Sequence, residues 1–454
     1  MKEFDLIVIG SGSGLDIASG IANKGKDVAV VEPGRLGGTC LNRGCIPSKM
    51  LIHRADLAED IRDSEKFGLH AELEEVDFND IIEEVNHEVH SDSENIEEGL
   101  RNSSRHTLYR QEARFVDEKI IELKESGEKI ISDTIVVAAG SRPFVPPIDG
   151  TDEVDYWVST DALNPDYQPD ELIMVGGGYI SLELAHFYDA MGTEVTVLEM
   201  GEKVLEREDR EISEKITEIA KNRYNVELEV SATEIREEGG RKKVIAEDSE
   251  GEKVEFAGDE ILFATGRVPN TDSLKVEEAG IETTERGFVK TDEKMRTSID
   301  GIYALGDIAD NWMFKHSANH EAEIVFKNIV TGDQYDVDYP GMPHAVFTSP
   351  QIAGVGKTEQ ELEEEDVEYV SATYDYADTG MGMALKEEDG FVKVLASEDG
   401  EILGCHIIGP HASQQIHEVL VAMKAGTGTV DDIKDTIHIH PALNEVVQRA
   451  FNQL

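Results

Sequence analysis

Two cysteines five positions apart, Cys40 and Cys45, sit in the run Gly37-Gly38-Thr39-Cys40-Leu-Asn-Arg-Gly44-Cys45-Ile-Pro47-Ser-Lys49. Thiols with four residues between them can close a disulfide across one helical turn, and Gly38 and Gly44 allow close approach to a flat cofactor. Two buried structural cysteines would account for the sulfurs, but not for the glycines or for the position of the run. The only other cysteine, Cys405, lies in an apolar stretch that reads as core. In a reducing compartment, thiols used this sparingly point to redox catalysis rather than to structural staples.

The run follows a unit built to hold a nucleotide. Asp5-Leu-Ile-Val-Ile-Gly10 reads as a buried parallel strand, Gly10-Ser-Gly12-Ser-Gly14 as a tight turn, residues 17–24 as a helix, and Val28-Ala-Val-Val-Glu32 as a second strand ending in an acid. The same events recur at residues 171–176, at Gly176-Gly-Gly178, over 182–191, and at 195–199, ending in Glu199. In such a turn the first glycine makes the bend, the second lets the backbone approach a pyrophosphate, and the helix start supplies amide donors. Gly10 and Gly12 fit the first two roles, as do Gly176 and Gly178, while Leu15 and Ser181 occupy the third position. Glu32 lies 20 residues past Gly12 and Glu199 21 past Gly178, each placed to accept bonds from a ribose 2′-hydroxyl. A carboxylate at 199 repels a 2′-phosphate and favours NAD over NADP.

Around these units residues 119–123 and 129–137 lead to Gly140, and residues 226–230, 243–246 and 253–256 lead to Gly266, all reading as paired antiparallel stretches. Residues 53–100 read as helices exposed on one face, and residues 317–329 as another helix. Beyond residue 336 come strands over 391–396 and 402–408 and helices from Gln414 and Leu443. The expected fold is α/β, with two Rossmann-like dinucleotide-binding domains and a C-terminal α+β domain: residues 1–150 with 270–335, residues 151–269, and residues 336–454.

The 454 residues include 95 acidic and 42 basic ones, a net charge of −53 spread along the whole chain. Nucleic acid is excluded as a partner, and a hydrated surface suited to a high-salt, halophilic cytoplasm is the reading such dispersal favours. The N-terminus carries no charged leader or long apolar segment, so a cytoplasmic chain without membrane contact is expected.

The Gly-Gly-Thr-Cys-Leu-Asn-Arg-Gly-Cys-Ile-Pro-Ser-Lys run resembles that of the pyridine-nucleotide disulfide oxidoreductases, and the resemblance spans nearly the whole chain. It implies FAD in the first unit, with Gly10, Gly12, Gly14, Glu32, Gly38 and Thr39 around it, and NAD in the second, with Gly176, Gly178, Glu199 and Gly266. Cys40 is implied as the thiol that attacks the substrate disulfide, Cys45 as the thiolate held against the flavin, and Lys49, paired with Glu183, as the cation near flavin N5. Ala304-Leu-Gly306-Asp307 is similar to a second FAD signature whose Asp accepts from a ribityl hydroxyl. Ala318 would offer its amide to flavin O2, and Ala113 and Gly140 would line the adenine end. His438-Ile-His440-Pro441-Ala-Leu-Asn-Glu445 is similar to the run that carries the acid/base. By that match His440, oriented by Glu445, acts on the cysteines of a partner subunit, so a homodimer built on residues 336–454 is implied. No metal site is expected.

Within the family, the first expectation is dihydrolipoamide oxidation by NAD, with a 2-oxoacid dehydrogenase complex as a possible partner. The alternative is an NAD(P)H-dependent reductase of a small disulfide of the mycothione, bis-γ-glutamylcystine or glutathione type, to which Lys315-His-Ser-Ala-Asn-His-Glu321 points. Mercuric reductase lacks support because no cysteine pair lies near the C-terminus. A non-catalytic flavin-binding redox sensor would not need Cys40, Cys45, Lys49, Glu183, His440 and Glu445 together.

Overall fold

In the computed structural model, which describes residues 1–309, 311–332, 334–339 and 341–454, three five-stranded sheets carry the architecture. The first runs in the order Ile302–Ala304, Ile135–Val137, Leu6–Ile9, Val28–Val31, His106–Tyr109, all parallel. Strands Leu6–Ile9 and Val28–Val31 are buried at every position, because they lie within one apolar core shared with Ile17 and Ile21 of helix Gly14–Ala22 and with Phe115, Ile121 and Ile130, which leaves no polar side to alternate with. The second sheet repeats the plan, in the order Trp157–Val158, Glu260–Phe263, Glu171–Val175, Glu194–Leu198, Asn225–Glu227, again parallel.

Chain order reverses beside the first strand of each unit, which opens a crevice at the strands' carboxyl ends. Gly10 (φ +101°) and Gly176 (φ +109°) sit at these two points. A Cβ on Gly10 would lie 2.2 Å from the Ala138 carbonyl oxygen, and one on Gly176 2.7 Å from that of Ala264. The bend therefore demands glycine on two grounds, close packing and a left-handed φ.

The third sheet is antiparallel, in the order His344–Val346, Ile352–Gly356, Ile402–Ile408, Phe391–Ala396, Val370–Asp375, and helices Ala412–Ala425 and Glu445–Phe451 pack on it. Its central strands Phe391–Ala396 and Ile402–Ile408 match the apolar runs of the sequence. Within this otherwise apolar strand Lys393 is 1% exposed. Its ammonium lies 2.9 Å from Asp209 Oδ1, 2.8 Å from Glu359 Oε2 and 3.1 Å from Glu211 Oε1. Asp209 also caps helix Arg210–Arg223, so one buried cation joins the second sheet's helices to the third sheet.

Helix Phe78–Asn102 is one-faced. Asp77 caps it by accepting the Asp80 amide at 3.0 Å, and Phe78, Ile82, Val85, Val89 and Leu100 bury one stripe against the body of the chain. No helix among the described residues is long and apolar enough to cross a membrane.

Three sequence expectations are corrected. The 129–137 run splits into Lys129–Ile131, in a small mixed sheet, and Ile135–Val137, in the first parallel sheet, because Ser132 accepts the Thr134 amide and breaks the strand. The 226–230 stretch gives Asn225–Glu227, which extends the second parallel sheet and ends before Glu229 (φ +56°). Ser231–Glu238, a strand dominated by charged and half-exposed residues, replaces it in the antiparallel trio with Arg241–Glu247 and Lys253–Gly258. Finally, the third-glycine role in the first turn falls to Gly14, not to position 15: a Cβ there would meet Val8 at 2.8 Å and Ala138 at 2.9 Å.

Candidate active site

Cys40 lies in a short helix, Gly38–Arg43, and Cys45 opens the next, Cys45–Arg62, with Gly44 between them at φ −152°, ψ −118°. The pair therefore spans a break between two helices, which corrects the expectation of one continuous turn. Gly44 makes the break possible by lying against Thr39, whose carbonyl oxygen would be 3.0 Å from an added Cβ. Gly38 (φ +68°) presses the start of the first helix onto the nucleotide turn, since its Cβ would lie 2.8 Å from Gly12 Cα. The redox loop and the dinucleotide turn are thus in backbone contact.

Both thiols are free and hydrogen-bonded to each other. That bond, helped by the Lys49 cation and opposed by burial, lowers the Cys45 thiol to about 7. The same bond, together with burial, pushes Cys40 up. Of the two, Cys45 therefore ionises first, while Cys40 keeps its proton.

Lys49 Nζ donates to Glu183 Oε2 at 2.6 Å and stands 4.4 Å from the centre of the Phe347 ring. Glu183, 5% exposed in helix Tyr179–Met191, accepts the Phe347 amide on its other oxygen at 3.0 Å. One carboxylate therefore ties together the helix after the second turn, the cysteine-bearing helix and the third sheet's leading segment.

A continuous cleft runs from Glu32 past Gly10, Gly12, Gly38, Thr39, Gly140, Asp307 and Ala318 to Cys40, Cys45, Lys49 and Glu183. Ala113 is buried at the head of strand Ala113–Asp117 and Gly14 is packed behind the turn; neither lines it. Glu32 accepts the Ser11 amide at 3.1 Å and the Gly34 amide at 2.8 Å. Glu199 does the same in the second unit, accepting the Gly177 amide and, at 2.7 Å, the Gly201 amide. Each acid braces its own turn.

The two second glycines differ from Gly10 and Gly176. A Cβ at Gly12 or at Gly178 would meet no protein atom within 4 Å, and neither has a positive φ. Neither packing within the chain nor a left-handed backbone calls for glycine there, and a pyrophosphate drawn onto the backbone fits. Asp307 accepts Ser141 Oγ at 2.7 Å with Arg267 3.7 Å away. The Ala318 amide closes the first turn of helix Lys315–Thr331 on the Phe314 carbonyl at 3.1 Å, which corrects the role expected of it. The donors left at that helix start are the amides of residues 315–317.

His440 is not among the residues that line this cleft. Its Nδ1 is held by Glu445 Oε1 at 2.9 Å while the side chain is 75% exposed, so the other ring nitrogen faces outward. Ile437 and Ile439 beside it are 96% and 79% exposed. Asn444, in the same segment, donates to Glu418 at 2.8 Å.

Sequence reasoning passed over Ser13, Ser141, Tyr179, Arg267 and Lys315, all of which line the cleft. Arg267 donates to Ser141 Oγ at 2.7 Å and to its carbonyl at 2.9 Å. Its position directly after Gly266, and that of Tyr179 directly after Gly178, were the available signals.

Two nucleotide crevices flanking a dithiol define a flavoprotein disulfide reductase. The description "Pyridine nucleotide-disulphide oxidoreductase" matches residues 4–322, and that family's dimerisation domain matches residues 342–451. The chain is 36% identical to the dihydrolipoyl dehydrogenase of Bacillus subtilis, over 99% of this chain and 96% of that protein. It is 34% identical to the mycothione reductase of Mycobacterium tuberculosis, over 99% of each. Among solved structures, the Cu(II) complex of the HOCl-induced flavoprotein disulfide reductase RclA from Escherichia coli superposes with a TM-score of 0.89 at 27% identity, covering 100% of both chains. The chain belongs to the pyridine nucleotide-disulphide oxidoreductases, a membership that implies FAD and a nicotinamide dinucleotide.

Proposed function

We propose that this enzyme oxidises dihydrolipoamide with NAD through the Cys40/Cys45 pair; the observation that carries the dithiol chemistry is the lowered Cys45 thiol beside Lys49 in the cleft. Residues 1–150 and 270–335 form the FAD-binding domain, 151–269 the NAD-binding domain and 336–454 the dimerisation domain. FAD, held by Gly10, Gly12, Glu32, Thr39 and Asp307, supplies the two-electron relay between dithiol and nicotinamide. Starting from the oxidised pair, a substrate thiolate attacks Cys40, a mixed disulfide forms and Cys45 leaves as thiolate. The second substrate thiolate then displaces Cys40, giving the substrate disulfide and leaving two electrons on the pair. The protons pass through His440, oriented by Glu445. Lys49 balances the negative charge at Cys45, and Glu183 holds Lys49 in place.

Since the substrate thiols need a base and the chain's own His440 is not among the residues that line the cleft, the base comes from a second copy. The exposed Ile437 and Ile439 support that pairing. Mixing Cys45→Ser and His440→Ala subunits, each inactive as a homodimer, restores activity to about a quarter of wild type after random reassortment, because half the dimers are mixed and each has one complete site. No recovery in mixed dimers excludes a shared site.

NAD is favoured by Glu199 and by the pocket beyond it, whose lining includes Glu202, Glu206, Glu229, Glu247 and Asp248 but no cationic residue. A 2′-phosphate there meets like charge at a cost of several kcal/mol, so kcat/KM for NADPH falls about a hundredfold or more below that for NADH. A second reading, reduction of a small disulfide, is favoured by the full-length similarity to a mycothione reductase. Steady-state assays of dihydrolipoamide with NAD, run beside mycothione, bis-γ-glutamylcystine and glutathione disulfide with NADH and NADPH, separate the two. An inert dihydrolipoamide beside fast NADPH-driven disulfide reduction overturns the first reading. The −53 charge supports a high-salt cytoplasm as the setting.

A further inference from the structure

Lys315 occupies an electrostatically costly position. It is the first residue of helix Lys315–Thr331, where the helix dipole disfavours a cation. Its ammonium is 2.8 Å from Ser13 Oγ, and Ser13 stands at the N-terminus of a second helix, Gly14–Ala22, without capping it. Two positive helix ends and a lysine therefore converge on one stretch of cleft wall. Asn319 Oδ1 takes bonds from both Lys315 and Ser13. In a chain with 95 acidic residues, no carboxylate among the described residues pairs with Lys315.

Such a convergence is stable when an anion lies between the three positive groups. The cleft that Lys315 and Ser13 line is also lined by Gly12, where a Cβ would meet no protein atom within 4 Å. We infer that Lys315, braced by Ser13 and Asn319, is a direct ligand of the FAD diphosphate and so a binding residue that the glycine turn alone does not provide. This rests on the FAD-binding reading of the cleft. Lys315 also weakly favours the Cys40 thiolate, which makes that thiol the competing client of its charge.

The test is fluorescence titration of apoprotein with FAD and, separately, with riboflavin, which carries the same ring and no phosphate. Lys315→Met raises the Kd for FAD about tenfold or more, as expected for losing a charge-assisted bond, and leaves riboflavin binding unchanged. Lys315→Arg restores most of the FAD affinity. An unchanged Kd for FAD in Lys315→Met, or an equal loss for riboflavin, overturns the assignment. Wild-type apoprotein that binds no FAD at all instead overturns the reading of the cleft, so the two failures are distinguishable.

Discussion

Cys40→Ser lowers turnover with every dithiol or disulfide substrate by about four orders of magnitude, the scale on which loss of an essential nucleophile registers, while NADH still bleaches the bound FAD. Serine is nearly isosteric, so the cleft keeps its shape, but its hydroxyl neither forms the mixed disulfide nor leaves as thiolate. Cys45→Ser stops turnover as well, and it alone removes the long-wavelength absorbance that NADH raises anaerobically in wild type. The sign of the pH dependence follows from the lowered Cys45 thiol: the thiolate population, and with it that absorbance, grows as pH rises through about 7 and fades below it. Turnover that survives in Cys40→Ser would show that electrons reach the substrate without passing through the pair.

The second large effect is on stability. Lys393→Met leaves Asp209, which is fully buried, and Glu359 facing each other without their common cation. Removing one member of a buried ion group costs about 3–5 kcal/mol, because the remaining charges stay desolvated. Denaturant unfolding measures it. The double variant Lys393→Met with Asp209→Asn recovers part of the loss, since it withdraws one stranded charge, and the shortfall from additivity gives the coupling. A loss below about 1 kcal/mol in the single variant would mean that water reaches the cluster and solvates it.

Much of the plan was legible because two kinds of local pattern report directly on packing. Uninterrupted apolar runs such as Val28–Val31 and Ile402–Ile408 have no exposed face and form central strands. A glycine turn followed about twenty residues later by Glu32 or Glu199 fixes both ends of a nucleotide unit. What the sequence hid depends on partners far along the chain. Ser13 meets residues 302 and 306 positions away, and Ser141 meets Asp307 and Arg267 at separations of 166 and 126. No periodicity encodes such meetings. Gly44 reads as a permissive residue in a helical stretch, yet its contact with Thr39 splits the helix. Ser231–Glu238 went unseen because its charged residues blur the two-residue alternation.

The shared carboxylate of Glu183 also bears on motion. Its oxygens engage a side chain from one unit and a main-chain donor from another, while its own helix belongs to the third. A swing of the Glu183-bearing unit away from the body would drag the acid off both partners, leaving an ammonium without its counter-ion next to the thiols. Any such opening would thereby be geared to the charge balance of the dithiol.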